Sequence, residues 1–237
     1  MDNAGYTTLT RQSGLMREMT VIANNIANAA TTGYRQEGLI FSEFVQGTDD
    51  GPSLSMAAAR VHNTSFRQGA LTETGSSLDF AIEGEGFFQV QTPEGQMLTR
   101  AGSFATSAAG DLVTNDGHPV LDPGGAPIFI PPDAVNLGLA GDGTLSADGA
   151  PIGQLGVVRP ADPLSLQRHG GTMFSTDGGV EPVDDPRVVQ GFIESSNVDA
   201  IGQIGRMIQV QRAYELGQTF LEREDDRIRT VARTLIK

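Results

Sequence analysis

Apolar residues near the start of the chain recur at helical spacing. Leu15, Met19, Ile22 and Ile26 stand four, three and four residues apart, which draws one apolar stripe along a helix. Gly33 followed by Tyr34 reads as its stop, because glycine accepts the left-handed conformation beyond a helix end. At the other end Met207, Tyr214, Leu221, Ile228 and Leu235 fall seven residues apart, with Val210 and Val231 in the companion position. A heptad held this long predicts coiled-coil packing. Ser196-Asn197-Val198-Asp199 reads as its start, with Ser196 as the cap and Asp199 near the positive helix end. A helix over 198–236 would be about 58 Å long.

Between the two helices the period shortens. Phe80–Glu83, Phe87–Val90 and Gln96–Thr99 read as short strands. Pro93-Glu94-Gly95, Gly110-Asp111, Asn115-Asp116-Gly117 and Pro123-Gly124-Gly125 read as turns between them. The segments Pro127–Pro131, Gly153–Arg159 and Val188–Glu194 continue the pattern. This predicts an α+β chain whose middle is an antiparallel β-rich domain. Its expected parts are an N-terminal helix within 1–34, an extended connector at 35–75 with little regular structure, a β-rich domain at 76–194 and a C-terminal helix within 195–237.

Both helices carry features that count against them in isolation. Gly202, Gly205 and Gly217 each cost about 1 kcal/mol relative to alanine inside a helix. Gln211, Gln218 and Asp225 put polar groups beside the seam. Asn24, Asn25 and Asn28 are poor helix formers placed next to Ile22 and Ile26, where their side chains would fix register with a partner. Such helices need something to pack on, either each other or neighbouring chains.

The net charge of −13 sharpens this division. Residues 1–45 hold three arginines against four acids, and residues 195–237 seven basic residues against six acids. The middle therefore carries the excess, with six basic and nineteen acidic residues. That balance argues against nucleic acid or an anionic membrane as partner, and lets the nearly neutral ends pack together. With no cysteine, disulfides, zinc–thiolate sites and thiol catalysis are excluded. No secretory signal is visible in residues 1–30, and no apolar run is long enough to insert in a membrane.

Candidate chemistry is thin. His62, His118 and His169 are far apart along the chain, without metal-site spacing. Asp79, Glu83 and Glu85 are close enough to suggest acid/base work on sugars, yet no tryptophan is present to line a sugar groove. Gly84-Glu85-Gly86 lacks the third glycine of a dinucleotide fingerprint, since Gln89 stands there. Gly141-Asp142-Gly143 and Asp148-Gly149 are fragments of calcium loops without the full ligand spacing. These residues predict no catalytic site, no cofactor, no metal and no small-molecule substrate.

Three stretches, in order, resemble the bacterial flagellar rod and hook family. Ala23-Asn24-Asn25-Ile26-Ala27-Asn28-Ala29-Ala30-Thr31-Thr32-Gly33-Tyr34-Arg35 is similar to its N-terminal signature. Leu78–Phe88 is similar to the central one, and Ser196–Asp199 with Met207-Ile208 and Gln211–Glu215 to the C-terminal one. The resemblance implies a basal-body rod subunit that assembles without chemistry, most like the proximal rod subunit, with the distal rod protein as alternative. Remoter alternatives are a secreted adhesin and an acidic β-rich hydrolase. It implies that 1–34 and 195–237 form one discontinuous helical coiled-coil domain. Its assembly interface would include Leu15, Met19, Ile22, Asn24, Asn25, Ile26, Asn28, Gly33, Tyr34, Met207, Gln211, Tyr214, Leu221, Ile228 and Leu235. The implied partners are other copies, neighbouring rod proteins and the flagellar export apparatus. The implied location is the basal-body rod in the periplasmic space, reached without a cleavable signal peptide.

Overall fold

The computed structural model describes residues 2–48 and 51–235; Met1, 236 and 237 lie outside them. The chain divides into two compact units, one built from 1–27, 37–64 and 199–237 and the other from 28–36 and 65–198.

The first unit holds both long helices. Helix α1 runs Asp2–Ala27 and helix α2 runs Ala200–Leu235. Two predicted boundaries shift. Helix α1 ends at Ala27, six residues before Gly33, because Asn28 and Thr31 close a turn: the Thr31 N–H donates to the Asn28 carbonyl (3.1 Å) and its hydroxyl to Oδ1 (3.1 Å). Helix α2 is capped by Asp199, whose Oδ1 accepts the Gly202 N–H (3.2 Å), whereas Ser196 Oγ accepts from Val198 before the helix begins (3.3 Å). A carboxylate at that place also meets the positive end of the helix dipole.

The same unit contains a hairpin where a connector of little regular structure was expected. Strand β1 (Glu37–Thr48) pairs antiparallel with β2 (Gly51–Thr64), with register shifts at Ile40/Phe41 and Gln46/Thr48. Its order rests on a ladder between two segments of the chain. The Gly-, Ser- and Ala-rich sequence carries little of the alternation that marks a half-buried strand.

The second unit is β-rich, and its described strand pairs are all antiparallel. Strands β3 (Leu71–Glu73), β4 (Phe80–Glu83), β5 (Phe87–Thr92) and β6 (Gly95–Thr99) come first. Strands β5 and β6 are central in a six-stranded sheet with 166–169, 173–176, 157–160 and 180–182. The run Phe87-Phe88-Gln89-Val90 lacks alternation because both of its faces are covered. Phe88 and Val90 join a core with Phe80, Leu112, Val120 and Leu155, while Phe87 joins a second with Leu98, Val158 and Phe174. Phe104 meets Phe88 edge-on at 5.4 Å between ring centres, and Phe87 meets Phe174 at 5.7 Å.

Candidate assembly interface

Helices α1 and α2 pack antiparallel, and three polar pairs set their register. The Gln12 amide donates to the Tyr214 carbonyl (3.0 Å), Arg206 pairs with Glu18 (2.7 Å), and Asn25 donates to Gln203 Oε1 (3.3 Å). Ile22, Val21 and Val210 are buried. Leu15, Met19, Ile26, Met207, Tyr214 and Leu221 are half-buried. Gly217 lies where a side chain would collide, since an added Cβ would stand 2.5 Å from the Gln12 amide nitrogen. That glycine, read from sequence as a helix weakness, makes room for the Gln12 side chain of α1.

The three asparagines have different places. Asn25 is buried and reads one residue's backbone twice: its Nδ2 donates to the Glu37 carbonyl (2.7 Å) and its Oδ1 accepts the Glu37 N–H (3.0 Å). It thereby ties α1, β1 and the first turn of α2 together. Asn28 closes the turn after α1, and Asn24 is exposed. Gln211 bonds along its own helix to Glu215 (3.2 Å).

The pairing leaves much apolar surface uncovered. Helix α2 has 36 residues against 26 in α1, so it runs on beyond its partner by about 15 Å. Ile228 and Val231 in that overhang are exposed; the side chain of Leu235 lies outside the described residues. Ile201, Ile204 and Ile208 form an exposed ridge, with Ile201 at 84% exposure. At 100° per residue this ridge stands roughly a third of a turn from the seam. A cleft of about 380 Å³ opens between the helices on another side, lined by Thr8, Arg11, Gln12, Leu15, Ala213, Leu216, Gly217 and Phe220. Leu216 and Phe220 are themselves exposed, as are Leu9 and Met16 of α1.

Gly33 and Tyr34 belong to the second unit. Gly33 adopts a left-handed φ of 71°, and an added Cβ would fall 2.2 Å from the Ala101 nitrogen. Both facts restrict the position to glycine. Tyr34 is buried, with the Arg168 guanidinium 4.4 Å from its ring centre. The neighbouring Arg35 was not picked out from the sequence. It is buried, and it pairs with Glu194 at 3.0 Å. Arg100, also buried, holds the other Glu194 oxygen at 3.0 Å. Burial lowers the pKa of both arginines against the opposing pull of Glu194, Arg100 to about 10. Arg100 therefore remains charged at neutral pH.

The remaining candidates resolve into structural roles. Glu83 and Glu85 are exposed, and Glu83 faces Arg187 at 3.8 Å. The Asp142 carboxylate accepts the Thr144 N–H (2.9 Å), and Asp148 those of Asn136 (2.9 Å) and Val135 (3.2 Å). These backbone bonds lower both carboxyl pKa values and occupy oxygens that a calcium loop would need. His118 and His169, distant in sequence, line one open cleft with Glu94, Met97 and Met173. Among the described residues no cluster of three or more His, Asp or Glu side chains is arranged to hold a metal, and no helix is long and apolar enough to cross a membrane.

Comparison with known proteins accounts for both ends and the middle. Residues 6–35 match the family described as flagella basal body rod protein. Residues 81–147 match the flagellar hook protein FlgE/F/G D1 domain, and residues 189–234 the flagellar basal body rod FlgEFG protein C-terminal family. The flagellar basal-body rod protein FlgF of Caulobacter vibrioides is 39% identical over 221 residues, spanning 91% of this chain and 90% of its own length. The FlgF of Mesorhizobium japonicum is 37% identical over 218 residues, with the same two shares. The FlgG of Buchnera aphidicola subsp. Schizaphis graminum is 32% identical over 244 residues, spanning 90% of this chain and 92% of its own length.

Proposed function

The chain belongs to the flagellar basal-body rod protein family and is a structural subunit of the rod, and on that footing we propose that its paired helical ends dock onto other copies and neighbouring rod proteins to build the axial drive shaft. The observation that carries this reading is the apolar surface left open on α2. The ridge Ile201/Ile204/Ile208 and the cleft beside Leu216 and Phe220 lie on different faces of one helical pair. Two different faces that each need cover make a heterologous contact, and a heterologous contact that does not close generates a helical tube. The interface is thus wider than the seam chosen from sequence. Leu216, Phe220 and the three isoleucines join the candidate surface, alongside the exposed Asn24 and Gln211.

Within the family we read the chain as the proximal-rod member. Among the relatives compared, identity to those named FlgF runs from 32% to 39% and to those named FlgG from 30% to 34%, so the higher values favour the FlgF branch. The rest of the reading is that it works without catalysis, stands in the periplasmic span of the basal body, and reaches it through the flagellar export apparatus. The remoter adhesin and hydrolase readings give way to the family matches at both ends and in the middle.

The test is Tyr214→Asp, which places a charge in the half-buried seam. The expected strain makes the protein with its β-rich unit folded, yet swims poorly and yields basal bodies without this subunit. Normal swimming with the variant incorporated would overturn the reading.

A further inference from the structure

The second unit collects three stretches from distant parts of the sequence around Glu194. Segment 28–36 leads from α1, segment 192–198 leads to α2, and segment 65–69 follows β2. Each bonds the others. The Gly33 N–H donates to the Glu194 carbonyl (2.7 Å) while Arg35 holds Glu194 Oε1. Arg35 also donates to the Phe66 and Arg67 carbonyls, and the Gly69 N–H donates to Glu194 Oε1 (2.8 Å). Asn197 Oδ1 accepts the Gln36 N–H (2.5 Å), and its Nδ2 donates to the Ser65 and Arg67 carbonyls (3.3 and 2.7 Å). Arg100 fastens the group to the strand region, through Glu194 Oε2 and the Ile82 and Gly84 carbonyls (3.2 and 2.5 Å).

The electrostatics make these contacts interdependent. Two buried guanidinium groups share one buried carboxylate. If the C-terminal connector leaves, two guanidinium groups stay behind in a dry site without their counter-ion; if the N-terminal one leaves, Glu194 Oε1 loses its arginine and Asn197 Oδ1 its Gln36 donor. The Arg35 carbonyl is itself engaged, accepting from Arg168 (2.5 Å), whose guanidinium stacks against Tyr34 and Phe174. Lifting the N-terminal connector would therefore disturb that stack as well.

We propose that Arg35, Arg100, Glu194 and Asn197 form a clasp that seats both connectors on the β-rich unit only together, so that release of one chain end releases the other. Only a chain with both connectors in place then has the full unit. These residues act on position and are not contact residues for a neighbouring subunit.

Amide exchange of the full-length protein, followed by NMR, tests this at amides that the changed side chain does not touch. In Arg35→Lys, which keeps the charge but loses the fork, exchange at Gly69 and Ser195 rises at least tenfold, while Phe88 and Val90 in β5 keep their protection. In Glu194→Gln, Gln36 shows the same rise. Exchange that rises only within the substituted connector, or nowhere, overturns the clasp. Should Glu194→Gln fail to fold, Arg35→Lys decides alone, on the same two outcomes.

Discussion

At the scale of single residues, Asn25 shows what a sequence reveals and what it hides. Three asparagines beside an apolar stripe read as register-fixing groups, and Asn25 reaches across to α2. Which of them is buried was not legible, because that depends on where Glu37 and Gln203 return to meet α1. Asn25→Ala would leave the Glu37 N–H and C=O without their side-chain partner. It should destabilise the first unit by about 1–3 kcal/mol in urea unfolding, and a change near zero would contradict the role. The Arg35–Glu194 pair was illegible for a related reason. Its members stand 159 positions apart, and no local pattern marks a charge destined for burial.

Asp142 and Asp148 give a prediction with a definite sign. Their pKa values are lowered from 3.8 by backbone N–H bonds, chiefly from Thr144 and Asn136 respectively. A carboxyl lowered by folding stabilises the fold above its unfolded value and loses that contribution as the pH falls through the folded one. Both turns therefore stay fastened at neutral pH and loosen only below 3.8. The amide proton shifts of Thr144 and Asn136, followed by NMR into acid, should hold steady near neutral pH and titrate with midpoints below 3.8. Movement near neutral pH would contradict the assignment.

At the scale of elements, both helices were legible from period alone, and so were most turns of the β-rich unit. The hairpin of β1 and β2 was not, since its order comes from pairing and not from an apolar stripe. Helix α2 also has a division that its even heptads conceal. Val210 is buried and Leu221 half-buried, whereas Ile228 is 52% exposed. A helix without a packing face depends on propensity alone and frays. In the isolated protein, amides from 224 to 235 should exchange much faster than those from 207 to 218, and equal protection would contradict this. The glycines separate in the same way. An added Cβ at Gly205 meets nothing within 4 Å, so Gly205→Ala should stabilise the isolated protein by roughly 0.5–1 kcal/mol. Gly217→Ala should give no such gain, because its Cβ would press on Gln12. Thermal unfolding of the two variants side by side distinguishes them.

At the scale of the whole molecule, charge and apolar surface divide the labour. The acidic excess lies between the terminal segments, whose nearly balanced charge leaves hydrophobic packing unopposed. Sequence motifs were enough to assign the family, because its signatures lie at both ends and in the middle. They did not reveal which faces of the helical pair stay open, since that follows from how the helices pack and from their unequal lengths. The central claim is that those open faces are covered in the rod. The absence of cysteine gives a clean probe. A single Ile204→Cys substitution should react readily with a maleimide in the isolated protein, where Ile204 is 50% exposed, and resist it in purified basal bodies. Equal reactivity in both would contradict the claim that this ridge is an assembly surface.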